Sequence, residues 1–247
     1  YRTWQAFWPV FTQAVKDGAN VIDADEYMGG LTPSYKVSTV DPIINKITNL
    51  GVPFVAAAGN FGSNFISYQN PSAGFTYYPL PQTQALTASG AITVAAYDVD
   101  QKTIAEYSSI GPSPDLLFKP DIMAPTNIDT IGLKGSYRNF NGTSAATPVI
   151  SGCVTLVKQA HPDWTSEEIK ASLMNNAEIK YNPQNNEPIT WLLQGAGLVN
   201  VYKAVTTPAL ITPYSTLMTP DNLKPITFNI KNTSDTTQTF NISSELT

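Results

Sequence analysis

The chain contains one histidine and one cysteine in 247 residues. A single cysteine cannot form an intrachain disulfide, so neither a bridged framework nor a secretory history can be read from it. Charge is scarce too: 13 % of residues are charged and the formal net charge is −5. With no cluster of Lys and Arg, nothing here matches a phosphate backbone, and a nucleic-acid partner is excluded. No apolar run approaches the roughly 20 residues of a membrane-spanning helix. What these absences leave is a mildly acidic globular chain, long enough for one α/β domain and a small appendage.

Against that background one run stands out: Asn141-Gly142-Thr143-Ser144-Ala145-Ala146-Thr147-Pro148. It sets a serine just after a glycine turn and ahead of a small, apolar stretch, Ala145 to Ala160, that reads as a buried helix. Cys153 falls inside this stretch and reads as a small buried side chain. The first N–H groups of a helix have no partner within it, and its dipole favours negative charge at that end. A serine so placed can act as a nucleophile with half an oxyanion hole beside it. The plainer reading of Ser144 is a helix N-cap. A second stretch argues against it: the small, apolar Val52-Pro53-Phe54-Val55-Ala56-Ala57-Ala58 ends in Gly59-Asn60. That pattern sets a carboxamide at the carboxyl end of a strand, the edge at which ligands sit in open parallel sheets.

These residues resemble a known family. Gly142-Thr143-Ser144-Ala145-Ala146-Thr147-Pro148 is similar to the nucleophile motif of the subtilases, the subtilisin-like serine proteases, although Met is common where this chain has Ala145. Ala57-Ala58-Gly59-Asn60 resembles that family's strand end, whose Asn donates to the oxyanion. Lys119-Pro120-Asp121-Ile122-Met123-Ala124-Pro125 resembles its segment upstream of the serine, and Glu106-Tyr107-Ser108-Ser109-Ile110-Gly111-Pro112 the stretch before that. The resemblance covers roughly residues 10 to 205 and implies peptide-bond hydrolysis through an acyl-enzyme on Ser144, with Asn60 steadying the oxyanion. It also implies a cleft for protein or peptide substrates walled by Met28-Gly29-Gly30 and Ala56-Ala57-Ala58-Gly59, with Gly142 and Thr143 beside the serine. The chemistry requires no cofactor. A structural calcium ion is compatible with the resemblance but is specified by no residue. An extracellular or cell-surface location goes with the same likeness.

The chain departs from the family in two places. Thr126 stands where Gly is usual, and the acidic run Asp23-Ala24-Asp25-Glu26-Tyr27 precedes the paired glycines. That run reads as solvated charge, or more sharply as a subsite for basic residues or a cation.

A serine hydroxyl needs a base, normally a His held by a carboxylate. His161 lies seventeen residues beyond Ser144, about 25 Å along a helix, and Pro162 marks the helix stop. Its reading is structural. In subtilases the order is Asp, His, Ser, so both missing members belong upstream of Tyr1. The chain is therefore expected to be a fragment, inactive alone, whose partner is the N-terminal remainder of the same catalytic domain.

Coarse periodicity completes the outline. Trp4, Phe7, Trp8, Phe11, Ala14 and Val15 follow helical spacing. A short strand is expected at Val21–Asp25. A second helix follows from Asp41-Pro42, with Ile43, Ile44, Ile47 and Leu50 inward and Gly51 ending it. Strands at 52–58 and 91–97, and a capped helix from Thr165-Ser166-Glu167-Glu168, follow in turn. All-apolar strands alternating with helices predict a doubly wound α/β parallel sheet, subtilisin-like and truncated at its N-terminus, over residues 1–206. From 207 to 247 prolines punctuate the chain, and 226–230 and 239–243 alternate like a β-hairpin. This part resembles the start of a fibronectin type III-like β-sandwich. Sequons occur at Asn141, Asn232 and Asn241, the first expected to be enclosed.

Two other functions fit parts of the pattern. An α/β-hydrolase esterase would need Gly where Ala146 stands and a His further downstream. A non-catalytic subtilase-fold pseudo-protease or adhesion module would retain the fold without the chemistry.

Overall fold

The structure, a computed structural model, describes residues 7–25, 41–60, 62, 88–113, 117–216 and 224–243. Met28, Gly29, Gly30, Glu26, Tyr27 and Trp4 lie outside them. The chain runs α1 (Phe7–Lys16), β1 (Ile22–Ala24), α2 (Asp41–Asn49), β2 (Phe54–Ala57), β3 (Ile92–Asp98), β4 (Thr103–Ile104), β5 (Ile122–Pro125), β6 (Ile128–Ile131) and β7 (Tyr137–Phe140). Then come α3 (Thr143–Ala160), α4 (Ser166–Asn175), α5 (Trp191–Gln194), α6 (Val201–Val205), β8 (Ala209–Thr212) and β9 (Asn229–Asn232).

The main sheet is parallel through β1, β2, β3 and β5, with β3 between β2 and β5. The short β4 pairs antiparallel with the end of β3, at Tyr97 and Asp98. Every residue of β2 and β3 is buried, as strands covered on both faces must be. Alternation along β2 assigns the faces. Phe54 and Ala56 join Ile44, Ile47, Phe11 and Val15 of α1 and α2 in one core. Val55 joins Ala146, Ile150, Cys153, Val154 and Val157 of α3 in the other, with Ile169 and Leu173 of α4. Phe11 meets Phe54 edge-on at 5.2 Å between ring centroids. Those α3 positions recur at helical spacing, so one stripe of the helix lies on the sheet.

The capping box is formed: the Thr165 hydroxyl accepts from the Glu168 N–H, and the Glu168 carboxylate from the Thr165 N–H. Gly51 ends the α2 region with φ +84°. Leu50 is not inward as expected: it lies past the last turn and is 63 % exposed.

The C-terminal expectation also changes. Residues 229–232 pair antiparallel with 209–212, and no strand forms at 239–243. Leu210 explains the choice, since it is buried in the same core as α3 and α4, and the Ile211 N–H donates to Asn175 Oδ1 at 2.8 Å. The main core therefore continues past residue 206. The antiparallel hairpin β6–β7, just before α3, had no reading from sequence.

Candidate active site

Beyond β2 the chain leaves the sheet. The Ala58 N–H still donates to Val94 O at 2.9 Å, Gly59 turns with φ +100°, and Asn60 emerges exposed. On the other side of the site, Gly142 precedes α3 with φ +100° and ψ 166°, a combination essentially confined to glycine. A Cβ on Gly142 would lie 3.1 Å from Asn60 Nδ2. The backbone conformation therefore requires glycine here, and Asn60 packs close against it.

Asn60 Oδ1 accepts from the Thr143 N–H and from the Thr143 hydroxyl, each at 2.9 Å. The Thr143 hydroxyl in turn accepts from the Gly59 N–H at 3.1 Å. An N–H can only donate, so the Thr143 proton points to Asn60 and the carboxamide orientation follows from the network. Its oxygen faces Thr143, and its NH₂ lies on the Gly142 side. Thr143 is fully buried and Ser144 half-buried, so the lock sits beneath a solvent-facing serine and amide. The partners are 83 residues apart in sequence.

The first-turn amides of α3 are not all free, as the sequence suggested. Thr143 donates to Asn60, while Ala145 and Ala146 donate to the Gly142 carbonyl at 3.0 and 3.4 Å. Only the Ser144 N–H, of the four from Thr143 to Ala146, takes no acceptor among the described residues. One main-chain donor therefore stands at Ser144 and the Asn60 NH₂ lies beside the neighbouring Gly142, at the start of an 18-residue helix whose dipole favours negative charge there.

The other sequence candidates distribute as follows. Ala56, Ala57, Ala58 and Gly59 are buried along and just after β2. Thr143, read as a cleft residue, spends its N–H and hydroxyl within the site. Asp23 lies in β1 and Asp25 just after it. No group of three or more His, Cys, Asp or Glu among the described residues could hold a metal ion. Asn141 is exposed rather than enclosed. His161 caps the far end of α3, with Nε2 2.7 Å from Val205 O and its ring stacked on Trp164 at 3.8 Å. The Cys153 thiol is pushed up to about 11 by burial.

Two side chains to which the sequence assigned no site role also meet the serine turn. The Tyr107 hydroxyl accepts from the Gly142 N–H at 2.9 Å, and the Thr126 hydroxyl donates to the Gly142 carbonyl at 3.1 Å. A hydroxyl introduced where the family has Gly was the one available signal.

Comparison with known proteins identifies the family. The model of the Subtilase family matches residues 25–197. Minor extracellular protease Vpr of Bacillus subtilis (strain 168) is 33 % identical over 153 residues, 56 % of this chain and 19 % of that protein. Subtilisin Savinase of Lederbergia lenta is 32 % identical over 178 residues, 72 % of this chain and 54 % of that one. The chain thus spans from a fifth to about half the length of these relatives. Among solved structures, the prenylagaramide maturation protease PagA shares the fold with a TM-score of 0.60 and 24 % identity, covering 82 % of this chain and 67 % of its own. With the family model matched from residue 25 through β2, β3 and β5, the Asn60 strand end and the Ser144 helix, the chain belongs to the subtilase family.

Proposed function

We propose that this chain carries the nucleophile and oxyanion half of a serine endopeptidase acting on protein or peptide substrates. The carrying observation is the Asn60–Thr143 lock beside Ser144. As the Ser144 hydroxyl attacks a peptide carbonyl, the negative charge on its oxygen meets two donors, the Ser144 N–H and Asn60 Nδ2. Both are held by a buried frame, so little reorganisation is needed as charge develops. Collapse of the tetrahedral intermediate expels the amine and leaves an acyl-enzyme on Ser144, which water then hydrolyses.

The base that takes the hydroxyl proton is supplied from outside these 247 residues. His161 is the single histidine, roughly 25 Å from Ser144 by helical rise and committed to Val205 and Trp164. In this reading the Asp and His belong to the remainder of the same catalytic domain. An extracellular or cell-surface location is supported by relatives such as the extracellular protease of Bacillus subtilis. No helix among the described residues is long and apolar enough to cross a membrane.

The test uses the protein that carries this chain together with its general base. A fluorophosphonate should label Ser144, and Ser144→Ala should abolish both labelling and peptide hydrolysis. Peptide hydrolysis that persists in Ser144→Ala overturns the assignment.

A further inference from the structure

Gly142 is the hinge on which Ser144 turns out of the chain, and both polar groups of this residue are gripped by side chains the mechanism above does not use. The Gly142 N–H donates to the Tyr107 hydroxyl at 2.9 Å. The Thr126 hydroxyl donates to the Gly142 carbonyl at 3.1 Å, so its oxygen accepts the Tyr107 proton across 3.0 Å. Each hydroxyl has one proton, and this is the direction in which all three bonds are made. The result is a closed ring: Gly142 N–H to Tyr107, Tyr107 to Thr126, Thr126 to Gly142 C=O.

The same segment also holds the other oxyanion donor. The Tyr107 carbonyl accepts from the Gly62 N–H, and the Ser109 N–H donates to the Gly59 carbonyl, each at 2.9 Å. These bonds flank Asn60 on either side. Residues 107–109 therefore touch the Asn60 loop through backbone and the Ser144 turn through the Tyr107 hydroxyl. Thr126 is fully buried, and its N–H is fixed to Tyr97 O at 2.9 Å, so the ring is anchored to β3.

We propose that Tyr107 and Thr126 are positioning residues that hold the Gly142 hinge, and so set Ser144 and its N–H against Asn60 for oxyanion binding. The proposal rests on the endopeptidase reading and adds to it residues that touch no reacting atom. Losing the ring frees the hinge to shift, and a misplaced nucleophile and donor cost the transition state more than bound substrate.

The experiment measures steady-state kinetics, and affinity for a peptide aldehyde that forms a tetrahedral adduct, in the protein with its general base. Tyr107→Phe should lower kcat about tenfold with KM changed less than twofold, and weaken the aldehyde by the same factor as kcat/KM. Thr126→Val should behave alike, and Thr126→Ser should restore the rate that Thr126→Val loses. Because each single variant leaves Gly142 one of its two side-chain bonds, the double variant Tyr107→Phe/Thr126→Val should cost more than either single, and a double no worse than the milder single would count against the proposal. A lowered melting temperature with unchanged kcat, or a loss confined to KM, overturns the proposal while leaving the endopeptidase reading intact. If Tyr107→Phe does not fold, the Thr126→Val and Thr126→Ser pair decides alone. A parent protein that neither hydrolyses peptides nor takes a fluorophosphonate sinks the endopeptidase reading itself, and the positioning role falls with it.

Discussion

Asp121→Asn tests the electrostatic anchor at the start of β5, at the opposite end of that strand from Thr126. Asp121 Oδ2 accepts from Lys119 Nζ at 2.6 Å and from the Thr93 N–H at 2.7 Å, and Oδ1 takes Lys170 Nζ at 2.8 Å. The three charged side chains are at most 2 % exposed. This carboxylate ties the start of β5 to β3 and α4, and β5 leads directly to Thr126. An amide keeps one acceptor oxygen but turns its NH₂ against groups that can only donate, and leaves two buried ammoniums without a counter-charge. Removing one partner from a buried ion pair costs about 3–5 kcal/mol. Both lysines keep carbonyl acceptors, Ala91 O for each and Ser89 O for Lys170, so the loss should stay within that range rather than double. For a chain of this size that lowers the melting temperature by roughly 10 °C.

The pH dependence has a definite sign. Burial, only partly opposed by Asp121, lowers Lys119 from its usual 10.5 to about 8. Between those values the unfolded chain holds a proton that the folded one has released, so stability rises with pH. Without Asp121 the folded-state value drops further, and the deficit of the variant should shrink between pH 7 and pH 10. Thermal unfolding by circular dichroism, in a Ser144→Ala background to prevent self-cleavage, measures both effects. A loss under about 1 kcal/mol at pH 7 would contradict the cost expected for a broken buried pair, and a deficit that widens toward pH 10 would contradict the proton linkage.

Three further expectations concern the site and its helix. Asn60→Ala should lower kcat by about 10²–10³, a magnitude established on subtilisin and carried over to this relative; a loss below tenfold in steady-state kinetics would remove Asn60 from the oxyanion hole. His161→Ala should leave kcat/KM within about twofold while lowering the melting temperature by a few degrees, as loss of a residue at a helix C-terminus does; a hundredfold drop in activity would return it to the chemistry. Cys153, buried in α3 and pushed up to about 11, should react with a disulfide reagent at pH 8 only as the protein unfolds, and rapid reaction of the native protein would show the helix face to be open.

Much of this protein is written in short-range pattern. Helical spacing from Phe7 to Val15, the Thr165–Glu168 box and Gly51 after α2 depend on residues within a turn or two of each other, and such signals survive in a linear reading. So do the Gly142-Thr143-Ser144 turn and the Gly59-Asn60 strand end, because their chemistry is local. His161 could be set aside by helical rise alone. Leu50 failed because periodicity extends smoothly past the residue where a helix stops.

Local chemistry along the chain, then, settles which residues can turn, cap, bury or react. Which of them meet depends on the folded sheet and its helices. Asn60 and Thr143 are 83 residues apart, Tyr107 and Gly142 are 35 apart, and β9 chose β8 because Leu210 finds a place in the main core. Such pairings repay the loop-closure entropy they cost only once the sheet between them has formed, so no local pattern announces them.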